Sequence, residues 1–159
     1  MVPIVAADLE KAICAFPRPK TAVIRSCPLW PETIEAIKAA IDKRATPADQ
    51  SLKNRLFLTS DGTEYVRFSQ KGTSINGISR QFDRLLEKLE LKKEGQTFYA
   101  LRHTFETIGG DSGDQVAVNY IMGHAPADDD MGAVYRKSVF QERLVKVVEH
   151  VRKWLFGKP

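Results

Sequence analysis

The segment FYALRHTFET, residues 98–107, carries a cation in a place that ordinarily disfavours one. Its apolar residues recur at i, i+4 and i+7, which predicts an amphipathic helix with one apolar face: Leu101, Phe105 and Ile108. Arg102 falls near that face in the middle of the predicted helix, and a charge there is costly unless it is paired or meets an anion. We therefore expect either an ion pair with Glu106 at i+4 or an external anion.

Three other short motifs have side chains that suit anion chemistry. The segment PRPKTAVIR contains only basic charges (Arg18, Lys20 and Arg25), IMGH ends at His124, and VYRK contains Tyr135. Taken singly, each residue has a structural explanation as well: a solvated charge, a helix-ending histidine, or a core tyrosine with a satisfied hydroxyl. The histidines are too scattered along the chain to predict a metal site.

The elements that must position these residues begin with a small β region. Two apolar, β-branched runs, KAICAF (11–16) and TAVIRSCPL (21–29), flank the corner PRPK and predict a β-hairpin with its basic residues at the tip. Pro31 suits the first turn of a helix whose apolar face carries Ile34, Ile37 and Ile41. RLFLT (55–59) and EYVRF (64–68) are further candidate strands around an SDG turn.

From about Ser74 onwards the pattern is helical. Apolar residues at helical spacing predict a long amphipathic helix: Ile75, Ile78, Phe82, Leu85, Leu86 and Leu89. The next helix, FYALRHTFETI, is expected to stop at a cap formed by Gly109 and Gly110. Asp114 is the expected N-cap of QVAVNYIM, and a final helix carries a core-facing stripe of Phe140, Leu144, Val147, Val148, Val151 and Leu155. The fold class is therefore α+β, with a small antiparallel sheet followed by a mainly helical body.

Composition is that of a soluble globular chain with a basic surplus. The 159 residues include 24 Lys and Arg against 20 Asp and Glu, a net charge of +4 that permits a polyanionic partner without requiring one. No apolar run reaches the roughly 20 residues of a membrane span, so no membrane association is expected. We interpret Cys14 and Cys27 as reduced thiols of a cytoplasmic protein.

In this order, the motifs resemble the catalytic domain of the tyrosine recombinases, the phage-integrase family. The family has a His-x-x-Arg motif on a helix, then a Leu-Gly-His turn, then a nucleophilic tyrosine, which are similar to Tyr99–Arg102, Met122–His124 and Tyr135. A catalytic lysine at a β-hairpin tip matches Lys20, and we assign Arg18 and Arg25 of that hairpin to DNA contacts. The resemblance covers nearly the whole chain. We therefore assign residues 1–159 to one partial catalytic domain.

The resemblance implies site-specific recombination of double-stranded DNA through a 3′-phosphotyrosine intermediate, without metal or cofactor. Tyr135 would attack the phosphodiester, and it needs activation because a tyrosine hydroxyl is a weak nucleophile at neutral pH. Arg102 would stabilise the extra negative charge at phosphorus through its planar fork. Lys20 would protonate the departing 5′-oxygen, and His124 would donate a hydrogen bond to a nonbridging oxygen.

The sequence also departs from the family pattern. Tyr99 stands where the family usually has histidine, and Asp128, Asp129 and Asp130 lie in the loop before Tyr135, where they would repel phosphate unless they turn outward. A first catalytic arginine on an upstream helix and an N-terminal DNA-clamping domain have no counterpart, so we expect a piece of a longer integrase. The alternative is a non-catalytic DNA-binding module derived from a recombinase, and a third hypothesis is a helical interaction domain with no DNA affinity.

The last helix allows two interpretations. Its basic residues, Arg143, Lys146, Arg152 and Lys153, either follow DNA or form an ordinary solvated face. In the family, the segment after the tyrosine often packs on a neighbouring protomer, so other recombinase protomers are expected partners of this helix.

Overall fold

A computed structural model describes residues 3–18, 22–69, 71–125 and 138–157 of the chain. It contains five α-helices and two small antiparallel sheets among these residues, so the predicted α+β class is confirmed. The chain divides into two compact units, the first formed by residues 1–5 and 36–103, the second by residues 6–35 and 104–159. The assignment of residues 1–159 to one recombinase catalytic domain stays a prediction.

The second unit contains a three-stranded sheet formed by β1 (Ala7–Asp8), β2 (Ile13–Ala15) and β3 (Ser26–Pro28). The order is β1-β2-β3 with both pairs antiparallel, and Cys14 lies opposite Cys27. This confirms the predicted hairpin. Both cysteines are free thiols, and burial raises the pKa of the Cys27 thiol to about 11.

Helices α1 (Pro31–Asp42), α3 (Ala100–Gly110), α4 (Gln115–Met122) and α5 (Gln141–Phe156) follow where the apolar periodicity places them. As predicted, Asp114 caps α4, because its side chain accepts a hydrogen bond from the Ala117 N–H at 3.0 Å. The indole Nε1 of Trp30 donates to the Val148 carbonyl at 2.9 Å, which joins the start of α1 to α5.

The core of the second unit lies between α4 and α5. Its members are buried apolar side chains: Ala117, Val118, Ile121, Met122, Leu144, Val147 and Val148. Gly109 is buried inside α3, and a Cβ there would lie 3.3 Å from Val118 Cγ2. The predicted cap is therefore wrong, because Gly109 and Gly110 are the last two residues of α3 itself. The physical reason for glycine at position 109 is its close packing against the side chains of Val118 and Val147.

The apolar stripes predicted for α5, α3 and the Ile75–Leu89 helix are correct only in part, and in the last of these Ile78, Leu85 and Leu89 are exposed. In α5, Leu144 and Val151 are buried with the valines between them, but Phe140 is 79% exposed and Leu155 is 52% exposed. Phe140 stands at the N-cap position and Leu155 in the last turn, so both lie beyond the stretch that α4 covers. Leu101 is likewise exposed, because it lies in the first turn of α3.

The first unit carries β4 (Val66–Phe68), β5 (Ser74–Asn76) and α2 (Gly77–Lys88). β4 confirms the predicted EYVRF strand. The helix predicted from Ser74 is wrong in its first three residues, which pair with β4, and Asn76 then caps α2 by accepting from the Ser79 N–H at 3.1 Å. The Ser69 N–H donates to the Thr73 carbonyl and closes the turn between the two strands. This turn is not evident from the sequence, because the apolar residues after it recur at helical spacing.

The RLFLT segment is not a strand. Arg55 forms a single bridge with Pro3, while Leu56 and Leu58 are buried without a ladder. The guanidinium of Arg44 donates from Nε to the Arg55 carbonyl at 3.0 Å and from Nη2 to the carbonyls of Leu52 and Lys53, which precede the segment. At the first residue of RLFLT the backbone carbonyl is thus satisfied by a side chain and not by a partner strand.

Candidate functional site

The predicted site residues are divided between the two units. Arg18, Arg25 and His124 belong to the second unit, and Tyr99 and Arg102 belong to the first. Lys20 and Tyr135 lie outside the described residues. Of the predicted site residues, the structure brings together Arg18 and Arg25 of the hairpin with the turn formed by Gly123 and His124.

A Schellman motif ends α4 and positions His124. Gly123 adopts the left-handed conformation, with φ 65° and ψ 37°, which glycine reaches without steric cost. Its N–H donates to the Tyr120 carbonyl at 3.1 Å, and the His124 N–H donates to the Asn119 carbonyl at 2.9 Å. These are the two bonds that define this helix ending, so the backbone of His124 is fixed to the last turn of α4.

The two hairpin arginines pack against Gly123. Nη1 of Arg18 donates to the Gly123 carbonyl at 3.2 Å, and a Cβ at position 123 would lie 3.0 Å from Arg18 Cβ and 3.1 Å from Arg25 Cδ. Nε of Arg25 donates to the Phe16 carbonyl at 3.0 Å. A side chain at position 123 would crowd both arginines unless they shifted, so the hairpin packs closely on the end of α4 at this glycine.

The hairpin itself is held by backbone bonds on both sides of its tip. The Arg18 N–H donates to the Val23 carbonyl at 3.0 Å, and the Ala22 N–H donates to the Arg18 carbonyl at 2.7 Å. Arg18 and Arg25 are both half-buried, which limits the positions that their guanidinium groups can reach. A cation beside helix C-terminal carbonyls is favoured by the helix dipole, and this accounts for the position of Arg18 in part.

The ring of His124 faces two oxygen atoms. Its Nδ1 lies 3.4 Å from Oδ1 of Asn119 and 3.9 Å from Oε1 of Glu106. Sequence reasoning named Glu106 only as a partner for Arg102 and did not identify Asn119. For Asn119 the available signal was its position five residues before His124 in the last turns of α4, whereas Glu106 comes from α3 and no local spacing points to it.

This cluster, defined as Arg18, Arg25, Gly123 and His124, combines two permanent cations with one titratable ring. The two guanidinium groups come from the hairpin and the imidazole follows α4; positive groups of this kind favour an anion, and the arginine fork matches phosphate oxygens. The carboxylate of Glu106 supplies the opposing charge on the side of Nδ1. The arrangement can bind a phosphate group and exchange a proton through histidine.

Tyr99 and Arg102 lie at the start of α3. Tyr99 precedes the helix, is 55% exposed, and makes an edge-on ring contact with His103 at 4.9 Å. Arg102 is half-buried in the first turn, and its N–H donates to the Tyr99 carbonyl at 3.0 Å. The mid-helix position predicted for Arg102 is thus wrong, because the helix begins at Ala100. The positive end of the helix and the guanidinium would attract the same anion.

Basic residues of α5 are partly occupied by ion pairs. Arg143 binds both carboxylate oxygens of Asp114 at 2.7 Å, and this hydrogen bonding holds the pKa of Asp114 below its usual value. Arg152 binds Glu32 in the same two-bonded manner. Both arginines therefore bind carboxylates of the second unit, which favours an ordinary solvated face of α5 over contacts with DNA.

No family model, curated protein or solved structure was found that matches this chain. Within the described ranges, no group of three or more His, Cys, Asp and Glu side chains is arranged to hold a metal ion. No helix of the part described is long and apolar enough to cross a membrane.

Proposed function

We propose that this chain is the catalytic segment of a tyrosine recombinase, which cleaves and rejoins double-stranded DNA through a 3′-phosphotyrosine intermediate in the cytoplasm. The observation that carries the proposal is the packing of the hairpin arginines on Gly123. Arg18 reaches the Gly123 carbonyl across 105 positions of sequence. The residues of that contact belong to two motifs that the family resemblance selected independently.

The proposed roles follow from the chemistry of each side chain. Tyr135 attacks phosphorus, Lys20 protonates the leaving 5′-oxygen, and Arg102 stabilises the charge that develops on the phosphate. Arg18 and Arg25 bind the DNA backbone beside His124. Tyr99 takes the place of the usual histidine as a hydrogen-bond donor near Arg102.

A non-catalytic DNA-binding module is the second candidate. One observation favours it: Arg18 and Arg25 each use part of their guanidinium to bind a backbone carbonyl, of Gly123 and of Phe16. Such arginines would hold DNA by charge whether or not catalysis occurs. The two candidates share salt-sensitive binding and differ in covalent capture.

The first test measures DNA binding by fluorescence anisotropy on randomised duplexes over a range of salt concentrations. Phosphate contacts release counterions, so we expect affinity to fall steeply with salt, and Arg18→Gln or Arg25→Gln to lower the slope of log K against log[salt] by about 1 each. Lys88→Gln, at the exposed C-terminal end of α2, is the matched loss of one charge. Absence of binding at low salt would refute both candidates.

The second test measures covalent capture. A pool of randomised duplexes, each with a single nick that lets the short leaving strand escape, is incubated with the protein, and adducts resistant to detergent are counted. The recombinase proposal requires adducts that disappear in Tyr135→Phe while binding is retained. Salt-sensitive binding with no adduct supports the non-catalytic module instead.

A further inference from the structure

The protonation of the His124 ring is determined by the atoms that face it. Two acceptor oxygens lie near Nδ1, the Asn119 Oδ1 at 3.4 Å and the Glu106 Oε1 at 3.9 Å. A carboxylate oxygen only accepts hydrogen bonds. The Asn119 oxygen already accepts from Nε2 of Gln115 at 3.0 Å, which orients the amide with its oxygen towards the ring. Two acceptors facing one ring nitrogen favour a hydrogen on that nitrogen.

We propose that Asn119 and Glu106 are positioning residues that hold neutral His124 in the Nδ1–H tautomer. The lone pair of the neutral ring is then on Nε2. Asn119 contacts His124 in two places: its backbone carbonyl accepts from the His124 N–H at 2.9 Å, and its side-chain oxygen faces the ring. The backbone and the ring of His124 are thus both held by one residue of α4.

The tautomer changes the role expected of His124. In a neutral ring with its hydrogen on Nδ1, Nε2 has a lone pair and accepts a hydrogen bond or a proton. Donation from Nε2 to a phosphate oxygen requires a second proton, and the resulting imidazolium has the Glu106 carboxylate beside Nδ1. His124 is therefore a proton acceptor first and a donor only after protonation. This order of proton transfer by His124 rests on the proposed function, whereas the assignment of the tautomer does not.

The tautomer is measured directly by long-range ¹H–¹⁵N NMR of the histidine rings in the complete chain, at a pH above the titration of His124. We expect the nitrogen coupled to both ring protons, Nε2, to be unprotonated, and the nitrogen coupled only to Hε1 to carry hydrogen. His124→Gln identifies the signal. The rings of His103 and His150 are internal controls, since neither belongs to the contacts of Asn119 or Glu106 described above.

Substitutions of the two acceptors then test their roles. Asn119→Ala or Glu106→Ala should shift the tautomer ratio about fivefold towards Nε2–H, the equivalent of ~1 kcal/mol for one hydrogen bond. Glu106→Gln keeps an acceptor oxygen and should restore most of the ratio. A wild-type ring with hydrogen on Nε2, or a ratio unchanged in both alanine variants, would overturn the proposal. Because no DNA is present, failure here is separate from failure to bind or capture DNA.

Discussion

Gly123→Ala is the substitution that tests most directly how the candidate site is assembled. Gly123 is buried at a φ of 65°, and its position is in contact range of both hairpin arginines. Any L-residue there meets the left-handed strain, roughly 1–2 kcal/mol. Alanine also adds a methyl group 3.0 Å from Arg18 Cβ, an atom that the backbone holds in place. Overpacking of this kind adds about 1–3 kcal/mol.

Gly113→Ala is the matched control. Gly113 also has positive φ, at 79°, but a Cβ there would meet nothing within 4 Å. It belongs to the same unit, in the turn between α3 and α4. The control should therefore lose about 1–2 kcal/mol from strain alone, and Gly123→Ala roughly 2–5 kcal/mol. The difference between the two variants isolates the crowding by the arginines.

Urea unfolding followed by tryptophan fluorescence is the suitable assay. Both tryptophans, Trp30 and Trp154, belong to the second unit, so the signal reports the unit that contains Gly123. The midpoint and slope give the free energy of unfolding for each variant. If Gly123→Ala is no less stable than Gly113→Ala, the hairpin arginines do not pack closely on Gly123, and the four residues of the cluster do not form one site.

Three further predictions concern the second unit and use the same assay. Asp114→Ala should cost about 1–2 kcal/mol because it removes the α4 cap and the Arg143 pair, whereas Asp114→Asn keeps a cap acceptor and should cost less. Hydrogen bonding to Arg143 lowers the pKa of Asp114 in the folded state, so the stabilisation from its charge is present above about pH 4 and is lost as the pH falls through the folded pKa. Asp114→Asn should therefore converge with wild type in acid, whereas Asp114→Ala should stay less stable because it lacks the cap acceptor. Val147→Ala, at a fully buried side chain, should cost about 2 kcal/mol by leaving a cavity, and a loss under 0.5 kcal/mol would contradict its place in the core. Arg152→Gln should leave the urea midpoint nearly unchanged, because its pair with Glu32 is exposed and screened by solvent, and a clear fall in the midpoint would contradict this.

The features that sequence predicted correctly are those set by local patterns. The β2–β3 hairpin, α1, α2 and the Asp114 cap each depend on periodicity or on one side chain bonding to a nearby backbone group. Such interactions are complete within a few residues. Their presence can be inferred before any tertiary contact is known.

The features that sequence missed depend on distant contacts. Gly109 was assigned to a cap from its type alone, and its actual reason is the approach of Val118 and Val147 from other helices. At the start of the RLFLT segment the Arg55 carbonyl accepts from the side chain of Arg44 instead of from a partner strand, and that contact spans 11 positions of sequence. β5 was hidden by Ile75, whose apolar side chain fits the helical spacing of α2 as well as a strand.

The candidate site has the same two levels of organisation. The position of His124 is local, because the N-Y-I-M-G-H segment supplies both Schellman bonds and the Asn119 acceptor within six residues. The positive charge beside it is not local, since Arg18 and Arg25 arrive from a hairpin about a hundred residues earlier. A folded α4 alone would therefore present an ordinary capped helix end with a histidine. The proposed anion site requires the hairpin to dock on Gly123, so the stability of that contact should be coupled to any anion binding by the cluster.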